Sequence, residues 1–420
     1  MMTALAKILH PYSLDQFLSE NWTRRGVMLP AENPDRFQDL FSWQKLNYLL
    51  NFHELKLLHF ILDGEILPCR GREDWLQRCK QGATLRISHV HEQIPSLADL
   101  TWAIQQETGH GATHANIYCS WPSQQGSKCH FDGHEVFVIQ IDGEKEWFVF
   151  EDTLKYPYND ENSKDFPPPD RSPYIHCVLK PGDCLYIPRG HWHHALALQQ
   201  PSLHVTLGVR CFNGRDFLTW LSKTIPAMLQ EEEIWRENLP LISHGDTQAF
   251  ETHVQHLFNV LPPLLSREKD NLVKRVVACQ RQTTTQPPEI SLPDQVGFNL
   301  FGQGLDTCLR QPRFQSVKLE PLEGGNYLLS TPQKTMKFKG LEPKVINILV
   351  ENLFSQKSFT IRDVADWLPD CSLETHVIPL LAGLVKEGFL IEESSQLMVD
   401  NCQREESSND PQKVLALHSR

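Results

Sequence analysis

Between Ala115 and Arg210 the chain spells out a succession of short strand segments: "NIYCSW", "EVFVIQI", "KEWFVF", "CLYIP" and "LHVTLGV". β-Branched and aromatic residues fill each one, and turn-forming residues punctuate the gaps. Several short strands at this spacing bury their apolar faces only against one another, as a sandwich or barrel, and a double-stranded jelly roll is the expectation. Asp142-Gly143 reads as a two-residue type I′ turn, which makes Val136–Ile141 and Glu144–Phe150 a β-hairpin. A proline-rich stretch, "DFPPPDRSP", interrupts the series and reads as a surface insertion.

The flanks differ in period. Residues 12–107 mix helical patterns such as "SLDQFLSENW" and "DWLQRC" with strand-like runs. After Asn213-Gly214 the period becomes helical: Phe250, Val254, Leu257, Phe258 and Leu261 fall on one face of a helix, and Leu272, Val273, Val276 and Val277 begin another. "RQTTTQPPEISLPD" reads as a linker. Beyond it, Pro343 opens a predicted helix carrying Val345, Ile348, Leu349 and Leu353. Thr360-x-x-Asp363 forms a capping box for a second helix. Ser372 caps a third, with Val377, Leu380, Leu381 and Leu384 inward and Gly388 as its stop. "FLI" and "LMV" follow as two short strands, completing a winged-helix pattern. The polar tail after Asp400 reads as disordered. The expectation is an α+β chain: a jelly roll with N-terminal helical decoration over 1–212, a helical region and linker over 213–294, a winged helix over 295–400 and a tail over 401–420. There is no internal repeat.

Composition narrows the class. Lys plus Arg total 40 against 52 Asp plus Glu, a net charge of −12. Such a balance argues against a general binder of nucleic acid or membrane surfaces. Eleven cysteines without a CxxC pair predict reduced thiols and a cytoplasmic protein. No apolar run approaches the ~20 residues of a membrane span. The start, "MMTALAKILHPYSLDQFL", reads as structured rather than as a signal peptide.

Two motifs carry chemistry. His130-x-Asp132 sits just upstream of the predicted hairpin, and in extended backbone residues two apart share a face. Alone, the pair reads more readily as a plain surface hydrogen bond than as a metal site. The second motif is "KPGDCLYIPRGHWHHAL", with histidines at 191, 193 and 194 after Pro188-x-Gly190. Two imidazoles and one carboxylate form the facial triad of non-haem Fe(II), which leaves positions open for other ligands. The absence of thiolates from the motifs weighs against a structural zinc site.

His130-x-Asp132, the glycine-turn strand and "PRGHWH" resemble the JmjC-type 2-oxoglutarate oxygenases, and among them the cupin-like ribosomal oxygenases, which hydroxylate protein side chains. The cupin second motif fits as Gly182, Pro188, Gly190 and His193, a register that selects His193 over His191 and His194 as third ligand. The resemblance covers roughly residues 20–212, and the family's order of jelly roll, dimerising helices and winged helix matches the order read here. It implies Fe(II), 2-oxoglutarate and O2 as the reaction's requirements, His130, Asp132 and His193 as metal ligands, and Lys145 as the partner of the co-substrate's distal carboxylate. It further implies that Asn116, Tyr118, His204 and Thr206 line the co-substrate pocket. Gly208 stands where related enzymes carry a small hydroxyl residue. His134, His191 and His194 are expected beside the site rather than on the metal.

The resulting expectation is a protein hydroxylase forming a homodimer, with Arg or His of a ribosomal protein among the candidate targets. Alternatives are a hydroxylase of a ribosomally made precursor peptide, a metal-cupin enzyme independent of 2-oxoglutarate, and a non-catalytic chromatin-like binder. Lys145 argues against the third of these readings and the intact triad against the fourth. Duplex binding by the winged helix is not expected. From Ile346 to Asp400 the basic residues are Lys357, Arg362 and Lys386, three against nine acidic ones, whereas duplex affinity rests on phosphate contacts from Lys and Arg. The basic cluster Lys334, Lys337, Lys339 and Lys344 lies outside the three-helix unit.

Overall fold

The computed structural model describes residues 3–110, 112–122, 126–242, 247–282, 288–315, 317–322, 326–331, 334–338, 352–353 and 356–393. The chain divides into two compact units, 1–285 and 286–420.

In the first unit, strands β1 (Val27–Leu29), β2 (Leu58–Leu62), β3 (Glu65–Leu67), β4 (Thr84–Ile87), β5 (Ala112–Ser120), β6 (Glu135–Asp142), β9 (Cys184–Ile187) and β11 (Ser202–Arg210) form one sheet in the order β1-β9-β6-β11-β5-β4-β2-β3. Strands β7 (Lys145–Asp152), β8 (Ile175–Leu179) and β10 (His191–Ala197) form a second, in the order β10-β7-β8. All pairings are antiparallel.

Strand alternation explains how the large sheet is buried on both faces. On β6, Phe137, Ile139 and Ile141 join a core with the helices Ala4–Leu9, Trp43–Phe52 and Pro95–Thr108. Val136 and Val138 point the other way, into a core shared with Trp147, Val149 and Leu179 of the small sheet. On β5 and β11 the odd positions Ala115, Ile117, Cys119, Leu203, Val205, Leu207 and Val209 face the helices. The even positions are therefore left for the space between the sheets.

The predicted hairpin is not one. β6 and β7 belong to different sheets, and of the Asp142-Gly143 pair only Gly143 has positive φ, 67°. A type I′ turn needs two such residues. Here the dipeptide turns the chain from one sheet to the other, against the start of β11, where a Cβ on Gly143 would lie 2.1 Å from the Pro201 carbonyl oxygen. The same dipeptide at Asp63-Gly64 (φ 51° and 80°) does close a hairpin, β2 to β3. Two strands escaped the sequence reading, β8 and β10. The second is "HWHHALA", poor in β-formers, and is held as a strand by six pairings with β7. The insertion after β7 is not wholly a surface feature. Phe166 packs on Phe131 (ring centroids 5.7 Å apart), and Phe131 meets Trp192 edge-on at 5.2 Å.

The helices Gly214–Leu229, Gln248–Arg267 and Lys269–Gln282 follow β11, with Asn213 and Asp216 forming a capping box for the first. Their apolar face is only partly covered: Leu264 and Leu272 are buried, whereas Phe258 is 67% exposed and Leu218 64%. No helix among the described residues is long and apolar enough to cross a membrane.

The second unit holds a sheet of β12 (Cys308–Arg310), β16 (Ser358–Thr360) and β17 (Ile391–Glu392), ordered β16-β12-β17. A separate meander joins β13 (Lys318–Leu322), β14 (Asn326–Ser330) and β15 (Thr335–Phe338). Strands β12 to β15 were not foreseen. The Thr360–Asp363 capping box opens the helix Ile361–Trp367. Ser372 caps a turn that runs into the helix Ile378–Lys386, and Gly388 (φ 65°) follows it. Val364, Leu381, Leu384 and Phe389 form the core of this unit. The predicted helix at Pro343 (all but its last turn), the "LMV" strand, Lys339, Lys344 and the tail lie outside the described residues.

Candidate metal and co-substrate site

His130 and His193 form an isolated antiparallel bridge, His193 N–H donating to the His130 carbonyl at 2.7 Å and His130 N–H to the His193 carbonyl at 3.1 Å. The turn before β10 is tied to the same motif, Gly190 N–H donating to the Asp132 carbonyl at 2.9 Å. Ligand atoms of His130, Asp132 and His193 then lie within 4.8 Å of one another, with His193 Nε2 3.5 Å from Asp132 Oδ2.

Protonation decides what this cluster can hold. His130 Nδ1 lies 2.8 Å from the Lys128 carbonyl and His193 Nδ1 3.1 Å from the His191 carbonyl. A carbonyl only accepts, so each Nδ1 carries the proton and each Nε2 presents a lone pair. Burial pushes the pKa of His193 down to about 4, which keeps it neutral. Burial would raise that of Asp132, but the imidazoles of His134, His130, His193 and His114 outweigh it and hold the carboxyl at about 2. The result is two lone pairs and a carboxylate converging with no proton between them, an arrangement that a cation satisfies. A second group, His89, His91 and Glu92, also brings ligand atoms together. There Ala115 N–H donates to His91 Nδ1 at 3.2 Å, so the proton sits on Nε2, the wrong tautomer for a ligand at that nitrogen.

A cavity of about 550 Å³, open mouth included, runs inward from the triad. Its walls include Lys145, Tyr118, His204, Thr206, Thr84 and Trp147. Four of the five predicted co-substrate residues thus meet the triad in one space. Asn116 is not on its wall: its Oδ1 accepts from His89 N–H at 3.0 Å. Register explains the convergence. His204 pairs with Tyr118 and Thr206 with Asn116 across β11 and β5, while His193 pairs with Val149 and Lys145 with Ala197 across β10 and β7. Lys145 therefore sits four residues along the strand from the metal motif, about 13 Å at the backbone.

Lys145 is 6% exposed and donates to Ser120 Oγ at 2.8 Å, with no carboxylate partner among the described residues. Thr84 Oγ1 in turn donates to Ser120 Oγ at 3.1 Å. Burial lowers the lysine pKa to about 7. An ammonium buried without a counter-charge is costly. Tyr118 and His204 stack at 5.0 Å, and burial holds His204 well below its usual pKa, so it is neutral. His204 Nδ1 and Trp147 Nε1 are buried without hydrogen-bond partners.

Thr84 was missed as a wall residue, and Ser120 as the hydrogen-bond partner of the lysine. Ser120 was within reach of alternation, two residues on from the predicted Tyr118. Thr84 lies on β4, which joins the sheet only through tertiary pairing. The space beside Gly208 is filled. A Cβ there would lie 2.3 Å from His114 Cε1 and 3.0 Å from His134 Cε1, two rings that meet edge-on at 4.9 Å. Neither His191 nor His194 joins the converging ligand atoms: His191 Nδ1 bonds Tyr174 Oη at 2.7 Å, and His194 stacks on Phe148 at 4.7 Å while contributing to the cavity wall.

Comparison with known proteins agrees with this geometry. Residues 89–217 match the JmjC domain. The chain is 27% identical over 334 residues to the bifunctional lysine-specific demethylase and histidyl-hydroxylase NO66 of Drosophila willistoni, covering 71% of this chain and 42% of that protein. It is 26% identical to NO66 of Aedes aegypti, covering 69% and 49%. The chain thus spans less than half the length of these relatives. Its fold matches the Escherichia coli ribosomal oxygenase YcfD, solved with cobalt and 2-oxoglutarate, at a TM-score of 0.55 and 18% identity over 91% of this chain and 99% of that one. Residues 89–217 thus carry a JmjC domain, and the chain as a whole is similar in sequence to the NO66 proteins and in fold to the ribosomal oxygenase YcfD.

Proposed function

We propose that this chain is an Fe(II)- and 2-oxoglutarate-dependent oxygenase that hydroxylates a protein side chain, a ribosomal protein being the favoured target. The observation that carries the reading is a single cavity joining a metal-ready triad to a buried, acid-free ammonium. His130, Asp132 and His193 would hold the iron, and Lys145 the distal carboxylate of 2-oxoglutarate, with Tyr118, His204 and Thr206 around it. When bound, iron and 2-oxoglutarate supply the oxidation: O2 is split between the target C–H, which becomes C–OH, and the oxo acid, which leaves as succinate and CO2.

The chain's own residues do the positioning. Lys128 and His191 carbonyls fix the two imidazoles with Nε2 free. Ser120 orients the lysine, and the aromatic pair Tyr118–His204 keeps the inner cavity dry around an anionic ligand. Neutral His204 can donate one ring proton to that ligand, and Trp147 Nε1 has no other acceptor. Orientation and exclusion of water are what a protein contributes when the cofactor carries the hard chemistry.

The same reading assigns 1–212 to catalysis, 213–294 to a dimer interface and 295–400 to a winged helix that docks polypeptide rather than duplex. The exposed Leu218, Phe258, Val273 and Val277 support a second copy as the occupant of the helical face. Free thiols at the cysteines among the described residues support a cytoplasmic setting. The test of the activity is succinate formation from 2-oxoglutarate with Fe(II), with and without ribosomal-protein peptides, alongside mass spectrometry of each peptide. Peptide-stimulated turnover with a 16 Da gain supports the reading; metal binding without any consumption of 2-oxoglutarate sinks it.

A further inference from the structure

Glu135 lies three residues after Asp132 and is fully buried, yet it does not serve its own strand. Tyr186 Oη donates to its Oε2 at 2.5 Å, and Arg189 N–H donates to the same oxygen at 3.3 Å. The Arg189 Nε lies 3.9 Å from Oε1, and Cys211 Sγ lies 3.9 Å from that oxygen too. Arg189 is the middle residue of the Pro188-Arg189-Gly190 turn. That turn's far side is already bonded to the motif, through Gly190 N–H and the Asp132 carbonyl. Three residues later comes His193. One carboxylate thus spans the start of β6, which follows directly on two members of the triad, and the turn that launches the third.

We propose that Glu135 is a positioning residue, which sets the separation of Asp132 and His193 by holding the Arg189 turn against the start of β6. The inference rests on the triad as metal site. The carboxylate reaches Arg189 by two routes, a hydrogen bond from its backbone and an ion pair with its guanidinium. Arg189 Nε is otherwise buried without a hydrogen-bond partner, and its guanidinium carbon sits 5.3 Å from the Tyr156 ring centroid. Losing the carboxylate's charge leaves the cation with no counter-ion at this point. The His130–His193 bridge and the hydrogen bond from Gly190 N–H to the Asp132 carbonyl hold the backbone on one side of the turn, and Glu135 holds the Arg189 side, so its loss leaves the turn tethered from one side only.

Glu135→Gln isolates the effect. The amide oxygen can still accept from Tyr186 and from Arg189 N–H, but its NH2 group now faces the guanidinium, donor against donor. Groups that support metal ligands from outside typically change metal affinity about 10–100-fold. The experiment is a Co(II) titration of the full-length chain, following the visible absorption of the bound ion, with thermal melting in parallel. The expected result is about ten-fold weaker Co(II) binding and an altered spectrum for Glu135→Gln. Arg189→Gln should match it, with no further loss in the double variant. Tyr186→Phe, which removes a hydroxyl from the same carboxylate but leaves the ion pair, should lower the melting midpoint with metal affinity within two-fold of wild type. Glu135→Gln binding Co(II) as wild type does, or Tyr186→Phe weakening it equally, overturns the positioning role. A wild-type chain that takes up no Co(II) overturns the metal-site reading itself.

Discussion

At the scale of single residues, the tautomers of His130 and His193 give the sharpest expectations. Both Nδ1 protons are committed to carbonyls, and His194 stacks on Phe148 at the cavity wall without joining the three converging ligand groups. His193→Ala should abolish metal binding and turnover, while His191→Ala and His194→Ala keep the metal. Metal analysis of the three purified variants checks this, and loss of metal from His194→Ala alone would move the assignment by one residue. For Lys145, removal of the contact to a dianion should cost about 1.5–3 kcal/mol, so Lys145→Ala raises the 2-oxoglutarate requirement about ten-fold or more. The sign of its pH dependence follows from burial. The free-site pKa is lowered to about 7, so below that pH the ammonium is already present. Above it, each binding event must take up a proton, and affinity falls by up to about ten-fold per pH unit. Calorimetric titration of 2-oxoglutarate from pH 6.5 to 8.5 reads this directly; a flat affinity would place the charge elsewhere.

At the scale of elements, the sheet owes its function to parity. β5 and β11 give their odd residues to the helices and their even ones to the cavity, and Gly208 is the even position where no side chain fits. Gly208→Ser would drive the His114 and His134 rings apart. Overpacking of this kind costs about 1–3 kcal/mol, so the melting midpoint should drop by a few degrees, with metal affinity falling because His134 neighbours Asp132. Unchanged melting would mean that the rings relocate freely. Strand β10 illustrates the reverse dependence. Its sequence has little strand preference, and it is extended because β7 pairs with it and because Phe131, between His130 and Asp132, packs against Trp192, which directly precedes His193.

At the scale of the whole molecule, the helices of 213–282 present apolar side chains that nothing among the described residues covers, Phe258 foremost. A two-fold interface is the commonest way to bury such a face. Light scattering over a dilution series should give about twice the chain mass, and a Phe258→Glu variant should shift it to one; a wild-type monomer at micromolar concentration would count against the dimer. The same samples test the partner class. With three basic residues against nine acidic ones from Ile346 to Asp400, a low-salt gel shift should detect no duplex binding. Salt-sensitive micromolar binding would return nucleic acid to consideration.

What the sequence determined by itself was local chemistry and period. Capping at Thr360 and Ser372 depends on a few neighbouring residues, and both caps are found where they were read. The glycine-turn register that singled out His193 is equally local. Tertiary structure alone decided the rest. Whether Asp-Gly closes a hairpin or turns a sheet corner depends on what packs against it, Lys128 beside Gly64 but the Pro201 backbone beside Gly143. The strand character of β10, the presence of Ser120 and Thr84 beside the ammonium, and the role of Glu135 across the Arg189 turn all depend on pairings between residues far apart in the chain. Those contacts leave no trace in any window of sequence, because the partner that creates the environment is supplied by another strand.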